Sequence, residues 1–220
     1  MSAKNEIIKS ITNMVGKYSA YEIFSDWVEC SALAMQNSCY LIHNELWQNR
    51  EKKYASVISK YEEKERIELA RMFKLLVDAL AENIEDVLGD VFMKSGCNSK
   101  HLGQFFTPFN LSKLTASLNI PKDISEDNIY YINEPSSGGG GMIIAAASVL
   151  KDRGINFQRC MEVVAQDLDW KGVYMSYLQF SLLGIKATVV QGDTLCNPYI
   201  EGNYPPERVL ITPMKMGVLM

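Results

Sequence analysis

Residues 133–142 read Asn-Glu-Pro-Ser-Ser-Gly-Gly-Gly-Gly-Met, with four consecutive glycines at Gly138–Gly141. An apolar run of strand length, Ile129–Ile132, precedes them, and apolar residues of helix length follow from Gly141 to about Arg153. Glycines allow tight turns and let backbone N–H groups approach a ligand. Because open α/β sheets bind ligands where their strands end, the pattern predicts a small-molecule site after this first strand.

The rest of the C-terminal half alternates between strand-length and helix-length segments. Strands are predicted at Met161–Ala165, Ala187–Gln191 and Arg208–Thr212, and a helix is predicted from about Trp170 to Leu183. Strands that alternate with helices imply parallel β-α-β units in an open, layered sheet. The predicted fold class is therefore α/β.

The first 95 residues follow a helical pattern instead. Apolar residues recur at spacings of three and four within Ile7–Val15, Ile23–Trp47 and Leu69–Val87, and no proline interrupts them. We therefore predict an N-terminal helical domain at residues 1–98 and an α/β domain at residues 99–220.

Composition limits the functions that the chain can perform alone. Of its 220 residues, 22 are Lys or Arg and 26 are Asp or Glu, which gives a net charge of −4. Proteins that grip duplex phosphates by themselves concentrate Lys and Arg on one face, because each neutralised phosphate releases counterions. A role on DNA therefore requires a partner or a small local basic patch.

Several other classes of protein are disfavoured. The five cysteines form no C-x-x-C pair and the two histidines, His43 and His101, are far apart, so neither a disulfide scaffold nor a metal site is expected. The longest apolar stretch, Met142–Leu150, is far short of the roughly 20 residues that span a bilayer. The N-terminus lacks the apolar core of a signal peptide, so we expect a cytoplasmic protein without membrane contact.

The residues around the glycines restrict the ligand. A Walker loop would need Lys where Met142 stands, and a dinucleotide fingerprint would need a third glycine at Ile143 or Ile144. Glu134 opens the loop and would repel a pyrophosphate. A carboxylate at this position favours a cationic ligand with an amino group, because the two can form charge-assisted hydrogen bonds.

Acids also follow the next two predicted strands, at Asp167 and Asp193. Ionised carboxylates only accept hydrogen bonds, whereas ribose hydroxyls and exocyclic amines donate them. Together with Glu134, these acids predict a nucleoside-like ligand at one end of the sheet. The alternative is that each Asp only caps the helix or turn that follows it.

Four segments together resemble the N6-adenine DNA methyltransferases of the type I restriction-modification M-subunit kind. They are Gly103–Pro108, Glu134–Met142, Ala165–Asp167 and Gly192–Leu195, which stand in the family's order and spacing. Asp86-Val87-Leu88-Gly89 stands where the family joins its helical domain to its core. The resemblance implies a Rossmann-like class I methyltransferase core, here incomplete and ending after the fourth strand.

The resemblance also implies an S-adenosylmethionine pocket. In it, Asp167 would bind the ribose hydroxyls, Leu168 would pack on the adenine and Asp193 would accept the adenine amine. Thr107 and Pro108 would hold the methionine end, and the glycine segment would cradle the amino acid and sulfonium. The full implied set is Phe106, Thr107, Pro108, Glu134, Ser136, Gly138, Gly140, Asp167, Leu168 and Asp193.

The sequence departs from the family at the fourth strand. There the family has Asn-Pro-Pro-Phe or Asp-Pro-Pro-Tyr, whose first side chain accepts the target amine's hydrogens and whose ring stacks on the flipped base. This chain has Thr212-Pro213-Met214-Lys215. The candidate catalytic residues are thus Thr212 and Pro213 of a degenerate motif, and it stays open whether the chain alone is an enzyme.

Three functions remain open at this point. The resemblance implies an adenine-N6 DNA methyltransferase of a restriction-modification-like system that binds DNA with a specificity or partner subunit. The alternatives are a non-catalytic subunit that binds cofactor and assembles with a partner, and a methyltransferase of another small molecule. An exposed edge at Arg208–Thr212 would favour a homodimer or a hetero-complex, because unpaired strand edges seek partners.

Overall fold

The structure is a computed structural model that describes residues 2–97 and 106–218. These residues divide into two compact units, of which unit 1 holds residues 2–83, 87–97 and 106 and unit 2 holds residues 84–86 and 107–218. The predicted domain boundary between residues 98 and 99 lies outside the described residues. So do His101 and the first three residues of the first motif, Gly103-Gln104-Phe105.

Unit 1 is helical, as its apolar spacing predicts. Its core is made of fully buried side chains on several helices, including Ile11, Phe24 and Leu76. Its helices are α1 (Ala3–Met14), α2 (Ala20–Ser38), α3 (Glu45–Ile58), α4 (Glu63–Glu82) and α5 (Val87–Lys94).

Two of the predicted helical stripes are each divided between two helices. The stripe that runs towards Trp47 is broken between α2 and α3, because the Asn44 side chain accepts a hydrogen bond from the Trp47 N–H and starts a new helix. The stripe that runs to Val87 is broken at Asn83, whose backbone is extended at the end of α4. Apolar periodicity alone does not show these breaks.

Unit 2 contains a four-stranded sheet with the strands in the order β1-β2-β3-β4. The predicted elements from the first strand to the third strand are all present, with boundaries shifted by one or two residues. The elements are α6 (Phe109–Asn119), β1 (Tyr130–Glu134), α7 (Gly141–Asp152), α8 (Phe157–Cys160), β2 (Met161–Asp167), α9 (Trp170–Leu182), β3 (Lys186–Gln191), β4 (Val209–Ile211) and α10 (Pro213–Met216), with a 3-10 turn at Pro206–Arg208 before β4.

The first three strands are parallel, as predicted. Ile132 pairs with Val163, and Val163 pairs with Ala187. The carboxyl ends of β1, β2 and β3 therefore lie along one side of the sheet, which we call the carboxyl rim; the opposite side is the amino rim. Helix α9 packs against β2 and β3, and buried apolar residues such as Val163 and Val189 form the core beneath it.

The prediction for the last strand is wrong in its direction. β4 runs antiparallel to β3, with Val190 opposite Val209 and Thr188 opposite Ile211. A parallel strand needs a crossover of a dozen or more residues, usually a helix. Residues 192–208 form no α-helix, so the chain returns directly along the outer side of β3. The end of β4 therefore lies at the amino rim.

Neither a membrane span nor a metal cluster is found in the described parts of the chain. No helix there is long and apolar enough to cross a bilayer. Within residues 2–97 and 106–218, no three His, Cys, Asp or Glu side chains are grouped so that they could hold a metal ion. The five cysteines all lie among the described residues, and none of them forms a disulfide bond.

Candidate functional site

Hydrogen bonds join the three loops at the carboxyl rim. The Gly138 N–H donates to Asp167 Oδ2 at 2.7 Å, and the Gly192 N–H donates to the Asp167 carbonyl at 2.8 Å. Thr194 Oγ1 donates to the Pro135 carbonyl at 2.7 Å. The structure thus brings together the glycine loop (residues 135–140), Asp167 and the segment that follows β3.

The conformation of the glycine loop requires glycine. Gly138 and Gly140 have φ angles of 50° and 89°, in the left-handed region that other residues rarely adopt. A Cβ atom on Gly140 would lie 2.6 Å from the Phe180 ring. The loop is therefore a closely packed turn into α7. Its glycines are needed for this backbone conformation and not for flexibility.

Side chains of α9 hold the carbonyl groups of the glycine loop. Ser176 Oγ donates to the Gly138 carbonyl at 2.7 Å, and Gln179 Nε2 donates to the Gly139 carbonyl at 2.8 Å. Gln179 Nε2 also donates to Asp86 Oδ1 at 2.8 Å. Asp86 is buried beside the first turn of α7, where the partial positive charge of a helix N-terminus favours a carboxylate.

The two acids nearest the glycine loop keep hydrogen-bonding capacity. Asp167 is half-buried and accepts one backbone N–H on each oxygen, from Gly138 and from Asp169. Each carboxylate oxygen can accept two hydrogen bonds, so both retain room for a ligand donor. Glu134 is also half-buried, and its Oε1 accepts the Ser136 N–H at 3.2 Å.

Asp193 is exposed and caps its own turn. Its Oδ1 accepts the backbone N–H groups of Leu195 and Cys196 at 2.9 and 3.3 Å. The Cys196 thiol, and then these N–H groups, hold the pKa of Asp193 below its usual value, and Asp193 raises the pKa of Cys196 in return. The side chain is therefore a carboxylate at neutral pH. Capping and ligand binding are compatible, because the carboxylate has further acceptor positions.

The other predicted cofactor residues differ in exposure and in the unit to which they belong. Leu168 follows Asp167 directly and its side chain is exposed, with a relative accessibility of 67%. Thr107 and Pro108 are exposed and immediately precede α6. Phe106 belongs to unit 1, where its ring contacts the Phe92 ring edge-on at 5.2 Å between centroids.

The structure does not bring the candidate catalytic residues Thr212 and Pro213 to the carboxyl rim. The buried Thr212 hydroxyl donates to the Ile185 carbonyl at 2.7 Å and accepts the Ala187 N–H at 2.9 Å. Both partners lie at the start of β3, and Pro213 begins α10 beside them. The antiparallel direction of β4 is the physical reason, because it carries residue 212 to the amino rim.

This placement predicts that the Thr212→Val substitution affects stability alone. Valine has nearly the same shape but leaves the Ala187 N–H without its side-chain acceptor, so the free energy of unfolding should fall by about 1–3 kcal/mol. Ligand affinity at the carboxyl rim should not change. Urea unfolding and calorimetric titration measure the two quantities separately. A well-folded variant that has lost ligand binding would place Thr212 in the site after all.

The sequence patterns did not identify the buried polar residues whose hydrogen bonds hold the loops of the carboxyl rim. The clearest is Gln166, which is only 2% exposed and makes hydrogen bonds to the segment after β3. The sequence does contain a sign of this role, because Gln166 is the one amide in the otherwise largely apolar strand β2. Ser176 and Gln179 carried no such signal, because isolated polar residues are common on helices.

Comparisons with known proteins agree with this architecture. The family model described as N-6 DNA Methylase matches residues 76–216, which is more than half of the chain. A solved structure from Listeria monocytogenes, provisionally described as a class I S-adenosylmethionine-dependent methyltransferase, is 13% identical with a TM-score of 0.51. That match covers 90% of this chain and 55% of the Listeria chain. It confirms the predicted α/β fold with a Rossmann-like core.

A second solved structure is the type I restriction-modification system methyltransferase subunit from Streptococcus thermophilus. It is 18% identical with a TM-score of 0.49, and the match covers 87% of this chain and 43% of that chain. The chain thus spans about half the length of the two solved structures. No curated protein sequence matches it significantly.

Proposed function

Because the chain belongs to the N-6 DNA methylase family, we propose that its carboxyl rim binds S-adenosylmethionine for adenine-N6 methylation of DNA. We place this activity in a cytoplasmic, restriction-modification-like system, on the strength of the four sequence motifs. One observation carries the proposal: the Gly138 N–H binds the Asp167 carboxylate and so joins the glycine loop to the acid of the second strand.

The chemistry of the rim fits this cofactor. S-adenosylmethionine would supply a methyl group on a positively charged sulfonium, and its amino, ribose and adenine amine groups are hydrogen-bond donors. The rim presents the acceptors Glu134, Asp167 and Asp193. A cationic ligand with several donors is therefore matched by anionic acceptors.

Each acid is assigned to one part of the cofactor. Glu134 would receive the amino group, Asp167 the ribose hydroxyls and Asp193 the adenine amine. The exposed Leu168 would offer an apolar surface to the adenine ring, and Thr107 and Pro108 would contact the methionine end. Ser136, Gly138 and Gly140 would complete the pocket as backbone or packing residues.

DNA binding would depend on a further subunit. The net charge of −4 offers little attraction to phosphates, and electrostatic attraction supplies most non-specific DNA affinity. We therefore propose that a specificity or partner subunit contributes the basic DNA-binding surface, in a complex with one or two copies of this chain.

A second candidate function is a non-catalytic subunit that binds the cofactor and assembles with a partner. The position of Thr212 favours it, because the residue aligned with the family's catalytic amide lies at the amino rim. In this arrangement the partner would supply the group that accepts the target amine's hydrogens and the aromatic ring that stacks on the base.

Methyl transfer from labelled S-adenosylmethionine separates these functions. We expect the purified chain, without a partner subunit, to bind the cofactor but to leave adenine in mixed-sequence duplex DNA unmethylated. The reason is that Thr212 lacks the amide and Lys215 lacks the aromatic ring of the family's motif. Methylation at a rate typical of the family would exclude the non-catalytic alternative and would point to Asn197 or Tyr199 as substitutes. Methylation of a small molecule instead would support the third alternative.

A further inference from the structure

The segment after β3, residues 193–204, has few apolar anchors. Leu195 is 95% exposed and Ile200 is 59% exposed, so burial of these side chains does not fix the segment. We call this segment the β3 loop. Its position therefore depends on polar contacts. Thr194 donates to the Pro135 carbonyl, and three further hydrogen bonds join the loop to the buried side chain of Gln166.

Both the NH2 group and the oxygen of the Gln166 amide form hydrogen bonds with the β3 loop. Its Nε2 donates to the Asn197 carbonyl and to the Tyr204 hydroxyl, each at 3.1 Å, and its Oε1 accepts the Tyr199 N–H at 3.0 Å. Only an amide places a donor and an acceptor at these positions. A glutamate would turn an oxygen towards the Asn197 carbonyl and would leave that buried contact repulsive.

Two further contacts link the residues bonded to Gln166 with Asp193 and with its neighbour Gly192. The Asn197 N–H donates to the Asp193 carbonyl at 2.7 Å, so Gln166 and Asp193 hold opposite sides of the same residue. The Tyr204 hydroxyl fills the space beside Gly192, where a Cβ atom would lie only 1.7 Å from it. The start and the end of the β3 loop are thus both fixed against β2 and β3.

We propose that Gln166 is a positioning residue that holds the β3 loop so that the Asp193 carboxylate recognises the adenine amine of the cofactor. The inference rests on the proposed function, because Asp193 is assigned to the adenine there. Gln166 itself would not touch the cofactor. Its effect should therefore be confined to recognition of the base and should spare the amino acid end.

The test uses two probes that differ only at positions 1 and 6 of the base. S-adenosylhomocysteine carries the amine at position 6, and its deaminated analogue S-inosylhomocysteine carries a carbonyl oxygen there and a hydrogen on N1. Because an oxygen opposite Asp193 replaces a hydrogen bond by repulsion, the unmodified chain should prefer the adenine form by about tenfold. In the Gln166→Glu variant this preference should disappear, while the affinity for S-inosylhomocysteine changes little.

Three more variants separate positioning from general stability. Tyr204→Phe removes one hydrogen bond of Gln166 and keeps the ring, so it should reduce the preference partly. Gln158→Leu removes a comparable amide bond, to the Leu183 carbonyl, and should leave the preference intact. Adding Gln166→Glu to Asp193→Ala should have no further effect on the preference, because Gln166 acts only through Asp193.

Amide hydrogen exchange gives a readout that does not involve the ligand. Residues 193–204 of the Gln166→Glu variant should lose protection while β2 and β3 retain it. If the variant keeps the full tenfold preference, the inference is overturned and the proposed cofactor site stands. If the unmodified chain binds neither probe, the proposed function fails and the inference fails with it. Equal binding of both probes by the unmodified chain would overturn the inference alone.

Discussion

Replacing Gly140 by valine should lower the free energy of unfolding by about 2–5 kcal/mol, because two separate costs add at this position. The φ angle of 89° is a region that β-branched residues avoid. In addition, a Cβ would lie 2.6 and 2.8 Å from two atoms of the buried Phe180 ring. Denaturant unfolding followed by circular dichroism measures the loss, and cofactor binding should disappear with it.

Gly16→Ala provides a control at a glycine with open space around it. Gly16 is not among the glycines with positive φ, and no atom lies within 4 Å of its added Cβ. Its substitution should change the free energy of unfolding by no more than about 0.5 kcal/mol. If Gly140→Val proved equally harmless, the glycine run would be a flexible loop and not the packed turn described above.

Asp167→Ala should weaken S-adenosylmethionine binding by about 1.5–3 kcal/mol, roughly 10- to 150-fold, through loss of charge-assisted hydrogen bonds. The substitution removes the proposed acceptor of the ribose hydroxyls. It also releases the Gly138 N–H, so the glycine loop loses its link to β2. Calorimetric titration of both proteins measures the difference in affinity.

Asp152→Ala tests whether any lost carboxylate would have the same effect. Asp152 forms an ion pair with Lys113 at 2.7 Å between α7 and α6, and it has no role in the proposed site. Its substitution should leave cofactor affinity unchanged. An Asp167→Ala variant that binds within twofold of the unmodified chain would remove Asp167 from the site.

The parallel part of the sheet could be predicted because local signals and long-range packing agree there. Each of the first two strands is an apolar run followed by a helix-length segment that leads to the next strand, and this order permits little except a parallel arrangement. The three acids at the carboxyl rim follow from the same reasoning. Their positions are therefore a consequence of β-α-β topology and not of any family resemblance.

The direction of β4 could not be predicted from its own residues. Val209–Ile211 are all apolar, and such a segment fits beside a strand in either direction. The missing information was in residues 192–208, which lack a helix and so cannot carry the chain across to a parallel position. The resemblance gives Thr212 the place of the family's catalytic amide, whereas the structure puts it at the amino rim. A short apolar strand is thus placed by the connection that precedes it and not by its own sequence.

The buried polar residues that hold the loops of the carboxyl rim could not be predicted either. Gln166, Gln179 and Ser176 act through contacts with residues about 30 to 40 positions away or more, and a single sequence shows no such pairing. Only Gln166 departs visibly from its surroundings, as an amide within a buried strand. Buried polar residues in apolar strands therefore merit attention as candidates for positioning roles.

Calorimetric titration of the unmodified chain with S-adenosylhomocysteine tests most directly whether the carboxyl rim holds S-adenosylmethionine. We expect saturable binding at one site per chain, weakened at least tenfold by Asp167→Ala and unaffected by Thr212→Val at the amino rim. Absence of binding by the folded, unmodified chain, or binding that Thr212→Val abolishes while Asp167→Ala preserves it, would contradict the claim.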